Sequence, residues 1–196
     1  MMNLIAQIND IVEKCRNEGS RAVVALDGMS ASGKTTLAAE LAQKFEGAVI
    51  HTDDFHLPFP LRTEERRAEP GGNLDYERFA KEVLPFLKER RTFSYGCFSC
   101  REGKIVRKMT IDAECPLIIV EGAYSMRPEF RSAYDLSVCM VISKELQRER
   151  LIAREGTEKF KTFEELWIPL EKRYIEYYNL PEICDIIVKT EKPGKL

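Results

Sequence analysis

Two glycines, a lysine and a threonine at fixed spacing, Gly28-x-x-x-x-Gly33-Lys34-Thr35, carry the plainest chemistry in this chain. Glycine at both ends lets a short loop turn tightly and bring its backbone close to a ligand. The amides of Ser30, Ala31, Ser32, Gly33, Lys34, Thr35 and Thr36 can then converge on phosphate oxygens at the positive end of a following helix. Lys34 adds a mobile point charge for the outer phosphates, and the Thr35 hydroxyl can bind Mg²⁺. The implied ligand is a nucleoside triphosphate.

Phosphoryl transfer needs more than a cradle. It needs a metal ligand, an oriented nucleophile, and positive charge where negative charge spreads. Glu121 is the candidate acid for the metal, because it ends an apolar strand that would lie beside the one feeding the loop. Asp53 is the candidate base, one residue beyond a second strand, where a carboxylate can orient an acceptor hydroxyl and take its proton. Asp54 competes for that role; if the backbone stays extended, only one of the two should face the phosphate. Arg150 and Arg154 are four apart and share a helix face, so their guanidinium groups suit a lid that closes on the transferring group.

These residues need elements to position them. Residues 22–27 form an apolar run read as a buried strand, and residues 36–45 read as the helix after the loop. Residues 48–51, 116–122, 136–142 and 184–189 read as further strands, giving an α/β fold in which strand ends face a ligand crevice. Leu4, Ile5, Ile8, Ile11, Val12 and Cys15 recur at helical spacing and predict an amphipathic helix covering the sheet. The alternative use of that face is a homodimer contact. Residues 61–73 read as a long loop over the site. A helix starts at Asp75, and Pro85 kinks it or starts a new turn. Residues 92–111 alternate and turn like a β-hairpin inserted beside the main sheet. Ser143 can cap a helix over 144–154, so residues 143–160 form the lid region. Residues 163–178 read as helical, interrupted by Pro169. With no repeat or linker, residues 1–196 read as a single domain.

The totals exclude some classes. The chain has 196 residues, 44% hydrophobic and 32% charged, with net charge −2. That balance argues against a dedicated nucleic-acid surface, which needs a basic excess. No apolar run reaches membrane-spanning length, and Asp10 and Glu13 interrupt any leader-like start. The six cysteines fit reduced thiols, and Cys97-x-x-Cys100 lacks a second pair at zinc spacing. The expectation is a cytoplasmic protein acting on a small molecule, with no nucleic-acid or membrane partner.

Taken together, the residues 28–36, the run Thr52-Asp53-Asp54-Phe55, the run Asn73-Leu74-Asp75, Glu121-Gly122, and Arg150 with Arg154-Glu155 resemble the uridine kinase family of P-loop kinases, which includes phosphoribulokinase. The resemblance spans residues 20–190. It implies a five-stranded parallel sheet flanked by helices, with a helical lid and a substrate-side hairpin. It implies ATP and Mg²⁺ as cofactors, and γ-phosphate transfer to a hydroxyl of a sugar or nucleoside. Asp53 then matches the base, Glu121 the Mg²⁺-linked acid, Asp75 the carboxylate for ribose hydroxyls, and Arg150 and Arg154 the lid. Tyr95 matches a tyrosine of the substrate hairpin. The chain departs from true uridine kinases where the base is read. His56 follows Phe55 in place of a tyrosine, Tyr76 follows Asp75 in place of a histidine, and Cys97 and Cys100 replace an aromatic and a histidine. His56 can still donate a hydrogen bond to an acceptor, or lie solvated in its loop.

Overall fold

The computed structural model describes residues 2–191. In chain order its helices and strands are α1 (Met2–Asn17), β1 (Ala22–Gly28), α2 (Lys34–Phe45), β2 (Ala48–His51), α3 (Glu64–Ala68), α4 (Tyr76–Glu82), β3 (Phe93–Ser99), β4 (Lys104–Ile111), β5 (Leu117–Glu121), β6 (Leu136–Val141), α5 (Lys144–Glu155), α6 (Thr157–Thr162), α7 (Ile168–Tyr177), α8 (Leu180–Ile183) and β7 (Ile186–Lys189). Every residue of β1 is buried, and alternate side chains enter different cores. Ala22, Val24 and Leu26 meet Leu4, Ile8 and Val12 of α1 and Leu37, Ala38 and Leu41 of α2. Val23 and Ala25 meet Phe55, Phe79, Tyr95, Phe130 and Tyr174 on the other face. A strand covered on both sides must be apolar throughout, which is why this run does not alternate with polar residues. Burying each aliphatic side chain of α1 contributes roughly 1.5–3 kcal/mol, so this helix covers the sheet as its spacing predicts.

Strand order is β2-β5-β1-β6-β7, all parallel. The chain runs from β1 outward to β2, returns through β5, then crosses to β6 and β7 on the far side. The reversal of direction at the centre opens a crevice beyond the carboxyl ends of the strands. Gly28, His51 and Glu121 stand at those ends.

β3 and β4 form a separate antiparallel hairpin with a bulge between Cys97 and Phe98. It packs on a 3₁₀ turn, Thr52–Phe55, that follows β2. Phe55 holds this junction, with its ring 5.3 Å from Tyr95 and 5.0 Å from Phe79. The stretch 58–72 is more structured than a plain loop. Thr63 caps the short helix α3 by accepting from the Arg66 amide, a start signal that Thr63 with Glu64 and Glu65 carries in the sequence. Its mouth is stitched shut: Leu57 N donates to Asn73 O at 2.8 Å, Asp75 N to Phe55 O at 2.7 Å, and His56 bridges Leu74.

Pro85 starts a new 3₁₀ turn, Leu84–Phe86, rather than kinking α4. Between α6 and α7 lies one π-helical turn, Phe163–Trp167, and Pro169 follows it in the first turn of α7, so the proline coincides with a break in the regular α ladder. Among the described residues no helix is long and apolar enough to cross a membrane.

Candidate phosphate site

The loop between β1 and α2 is built from its neighbours as much as from its own residues. Gly28 has φ 141°. A Cβ there would overlap the carbonyl oxygen of Met140 on β6, so only glycine lets the loop leave the sheet at this point. Gly33 caps α2 at φ 95° and Ala31 also has positive φ, which turns successive amides into one concavity. Lys34 is buried. Its Nζ donates to Gly28 O at 2.8 Å and to Met29 O at 2.9 Å. No ion pair ties this ammonium to a carboxylate among the described residues. The Ser32 hydroxyl is buried in the same loop without a hydrogen-bond partner. A buried ammonium that hydrogen-bonds only to carbonyls, with the Asp27 and Glu171 carboxylates near but not paired to it, and an unpartnered hydroxyl suit a polyphosphate ligand.

Beneath the loop, Asp27 is fully buried. It accepts from Gly28 N, Met126 N at 2.8 Å and Tyr174 Oη at 2.8 Å. Burial pushes its carboxyl above the usual range. This residue fixes the floor of the site.

Glu121 is 4% exposed. Its Oε1 accepts the Thr35 hydroxyl at 3.1 Å and lies 2.5 Å from His51 Nδ1. The hydrogen bond to Glu121 raises the His51 pKa above the ordinary histidine value. Thr35 and Glu121 supply two hard oxygen donors side by side, which suits Mg²⁺.

Asp53 and Asp54 both line the cavity, because the chain turns as a 3₁₀ helix there and the extended-strand alternation no longer applies. They differ in partners. The Asp53 side chain is 82% exposed, with His56 Nε2 at 3.7 Å. Asp54 takes the Tyr95 hydroxyl at 3.5 Å on its side chain, and Arg78 donates to its backbone carbonyl. Burial lowers the His56 pKa, favouring the neutral ring. Burial and the nearby Asp54 push the Cys97 thiol up to about 11, so it is no nucleophile at neutral pH.

The cavity enclosing these groups measures about 950 Å³ and runs from the phosphate loop to Phe98, Cys100, Phe163 and Trp167. That is the upper end of the range for ligand sites, roughly 300–1,000 Å³. Arg150 and Arg154 both line it. Arg150 donates to Ala31 O at 3.1 Å, whereas Arg154 pairs with Glu155 at 2.8 Å, lying near the Phe163 ring. Asp75 and Tyr95 are not among the lining residues. Asp75 caps α4 by accepting from Arg78 N, and Tyr95 is buried behind the turn that carries Asp54.

Several residues of this site carry no motif. Glu171 of α7 accepts from Ser30 N at 2.8 Å and from the Ser30 hydroxyl. Gln147 of α5 donates to Ser30 O at 3.0 Å, and the Thr190 hydroxyl to Ser32 O at 2.6 Å. Trp167 lies with its ring 5.8 Å from His56. A signal existed for His51 alone. It ends the strand before Asp53, and pairing β2 with β5 puts it opposite Glu121.

A family model described as the phosphoribulokinase / uridine kinase family matches residues 23–180. No curated protein matches the chain in sequence. Among solved structures, the fold is similar to that of a candidate fructose transport system kinase from Silicibacter sp. TM1040, with TM-score 0.69, 23% identity, and 91% of this chain and 98% of that one covered. It is similar to YFH7 from Saccharomyces cerevisiae, with TM-score 0.67, 14% identity, and 95% and 99% covered. It is also similar to a possible uridine kinase from Bacillus stearothermophilus, with TM-score 0.64, 21% identity, and 92% and 98% covered. At these identities the likeness is one of fold.

Proposed function

This chain belongs to the phosphoribulokinase / uridine kinase family of P-loop kinases, and on that premise we propose that it transfers the γ-phosphoryl group of ATP to a hydroxyl of a nucleoside-like small molecule, with Mg²⁺. The observation that carries the reading is the exposed Asp53 carboxylate opening into the same cavity as the buried Lys34 ammonium. One group readies an alcohol; the other meets the charge that the transfer displaces.

In this reading the amides from Ser30 to Thr36 hold the polyphosphate, and Gly28 and Gly33 shape their loop. Thr35 and Glu121 would hold Mg²⁺, which would supply charge neutralisation at the phosphates. Asp53 takes the proton of the acceptor hydroxyl as its oxygen bonds to the γ-phosphorus and the bond to the bridging oxygen breaks, releasing ADP. Asp53 is preferred over Asp54 because the Asp54 side chain already has the Tyr95 hydroxyl as a partner. Arg150 and Arg154 approach the spreading negative charge when the lid closes. His56, Phe98 and Trp167 offer flat faces to a planar acceptor, while Tyr95 and Asp75 hold the turn before His56 through Asp54 and Phe55. The six free cysteines favour a cytoplasmic setting.

The test is ADP release with ATP and Mg²⁺ across a panel of nucleosides, sugars and sugar phosphates. Release that depends on a hydroxylated acceptor, strongest with nucleosides, is expected. Release stimulated only by a protein partner would overturn the reading in favour of a regulatory ATPase.

A further inference from the structure

The phosphate loop already holds an anion belonging to the chain itself. Glu171 is 5% exposed, and both its carboxylate oxygens are engaged by Ser30, one by the amide and one by the hydroxyl. The Lys34 charge attracts this carboxylate and the Asp53 charge repels it. A polyphosphate entering the loop brings several more negative charges to the same ammonium. Like charges at close range in a partly dry site repel strongly, so the incoming anion and Glu171 compete for this corner.

The position of Glu171 on its helix gives that competition a consequence. Trp167 stands four residues earlier on the same helical run, so the two side chains share a face, and both line the cavity. One end of this cavity is the phosphate loop; the other is where Trp167 faces His56. The next turn is pinned, because Tyr174 donates to buried Asp27. Trp167 ends the π-helical turn that precedes α7, a local break in the regular α ladder of the kind often found at functional sites. The helix is therefore fixed at Tyr174 and able to yield at Trp167.

We propose that Glu171 is a positioning residue that occupies the phosphate loop as an internal anion, and that its displacement by polyphosphate swings the first turn of α7 so that Trp167 moves over the acceptor end of the cavity. The acceptor end is as assigned under the kinase reading above, and the proposal rests on that reading. Nucleotide loading thus shapes the acceptor pocket before the alcohol is committed.

The chain has one tryptophan, so Trp167 fluorescence reports the movement directly. The experiment titrates the protein with Mg²⁺-tripolyphosphate, with adenosine, and with a non-hydrolysable ATP analogue, alongside calorimetric binding of the same analogue. Tripolyphosphate and the analogue should each change Trp167 emission, and adenosine should not. Glu171→Gln should tighten analogue binding by about 5-fold or more, the lower end of coupling between sites, and remove most of the emission change. Unchanged affinity and an unchanged signal in Glu171→Gln overturn the proposal. So does weaker binding with the signal retained, which would make Glu171 a simple brace of the loop. A signal produced by adenosine alone would assign the movement to the adenine side and also overturn it. If Glu171→Gln does not fold, Ser30→Ala removes one of the two donors and should shift affinity and signal in the same directions; no shift there counts against the proposal. Failure of the wild type to bind the analogue at all would instead sink the kinase reading.

Discussion

His51 and Glu121 share one short contact across neighbouring parallel strands, and the Glu121 oxygen in that contact is the one that also accepts Thr35. A carboxylate held from both sides has a fixed orientation before any metal arrives. His51→Ala should therefore weaken the apparent Mg²⁺ affinity by about 10–100-fold, the usual cost of losing an outer partner of a metal ligand. The check is the Mg²⁺ dependence of turnover at saturating ATP. Equal Mg²⁺ dependence in the two proteins would show that Thr35 alone orients Glu121.

Asp53→Ala should lower kcat by about 100-fold or more, with ATP binding by calorimetry nearly unchanged, since a base acts on the acceptor and not on the nucleotide. Asp54→Ala serves as the comparison. Its side chain is tied to Tyr95, so its loss should disturb acceptor KM more than kcat.

Lys34→Ala should abolish measurable transfer while the protein still melts cooperatively. The ammonium serves the transferring phosphate, and its two loop carbonyls can turn to water once it is gone. Steady-state turnover together with a melting curve separates the two effects.

Gly28→Ala tests the backbone. A methyl group there collides with Met140 O, and φ 141° is itself costly for alanine. The conformational strain alone is about 1–3 kcal/mol, and the clash adds to it. Denaturant unfolding should show that loss, with ATP affinity falling in parallel because the loop must shift.

Stability should also respond to pH through Glu171. Burial holds its carboxyl above the ordinary value, about 4.3 for glutamate. Below that ordinary value both folded and unfolded chains are protonated and the stabilising contribution is complete. As pH rises, the unfolded chain releases its proton first, so stability is lost until the folded group also ionises. The Tm of wild type relative to Glu171→Gln should therefore fall between about pH 4.5 and the raised folded pKa, then level off. Parallel Tm profiles for the two proteins would contradict this account.

Much of this site was legible in the sequence for physical reasons. Gly28, Gly33, Lys34 and Thr35 work through local backbone geometry, so their spacing alone announces them. Glu121 and Asp53 could be placed because strand ends in a parallel sheet share one edge. What escaped was set by tertiary contact. Glu171 reaches Ser30 across 141 positions of chain, and nothing near it in sequence marks that role. Trp167 reads locally as one more apolar residue before Pro169. Asp53 and Asp54 could not be separated by alternation, because the strand ends at His51 and the chain coils. Asp75 and Tyr95 were assigned through resemblance; neither lines the cavity, Asp75 capping α4 and the buried Tyr95 giving its hydroxyl to Asp54.

The stitch that joins residues 55–57 to residues 73–75 has a consequence of its own. Because the two ends meet beside the turn that carries Asp53, whatever lies between them hangs as a cassette. Lengthening such a closed loop costs little, with each doubling adding only about 0.6 kcal/mol. Arg62 of this cassette reaches Cys100 on the acceptor side, while Arg67 and Gly71 meet Arg173 and Tyr174 of α7. Exchange of residues 58–72 can thus retune what the site accepts across generations, provided that the seats for Arg173 and Tyr174 at Arg67 and Gly71 are kept.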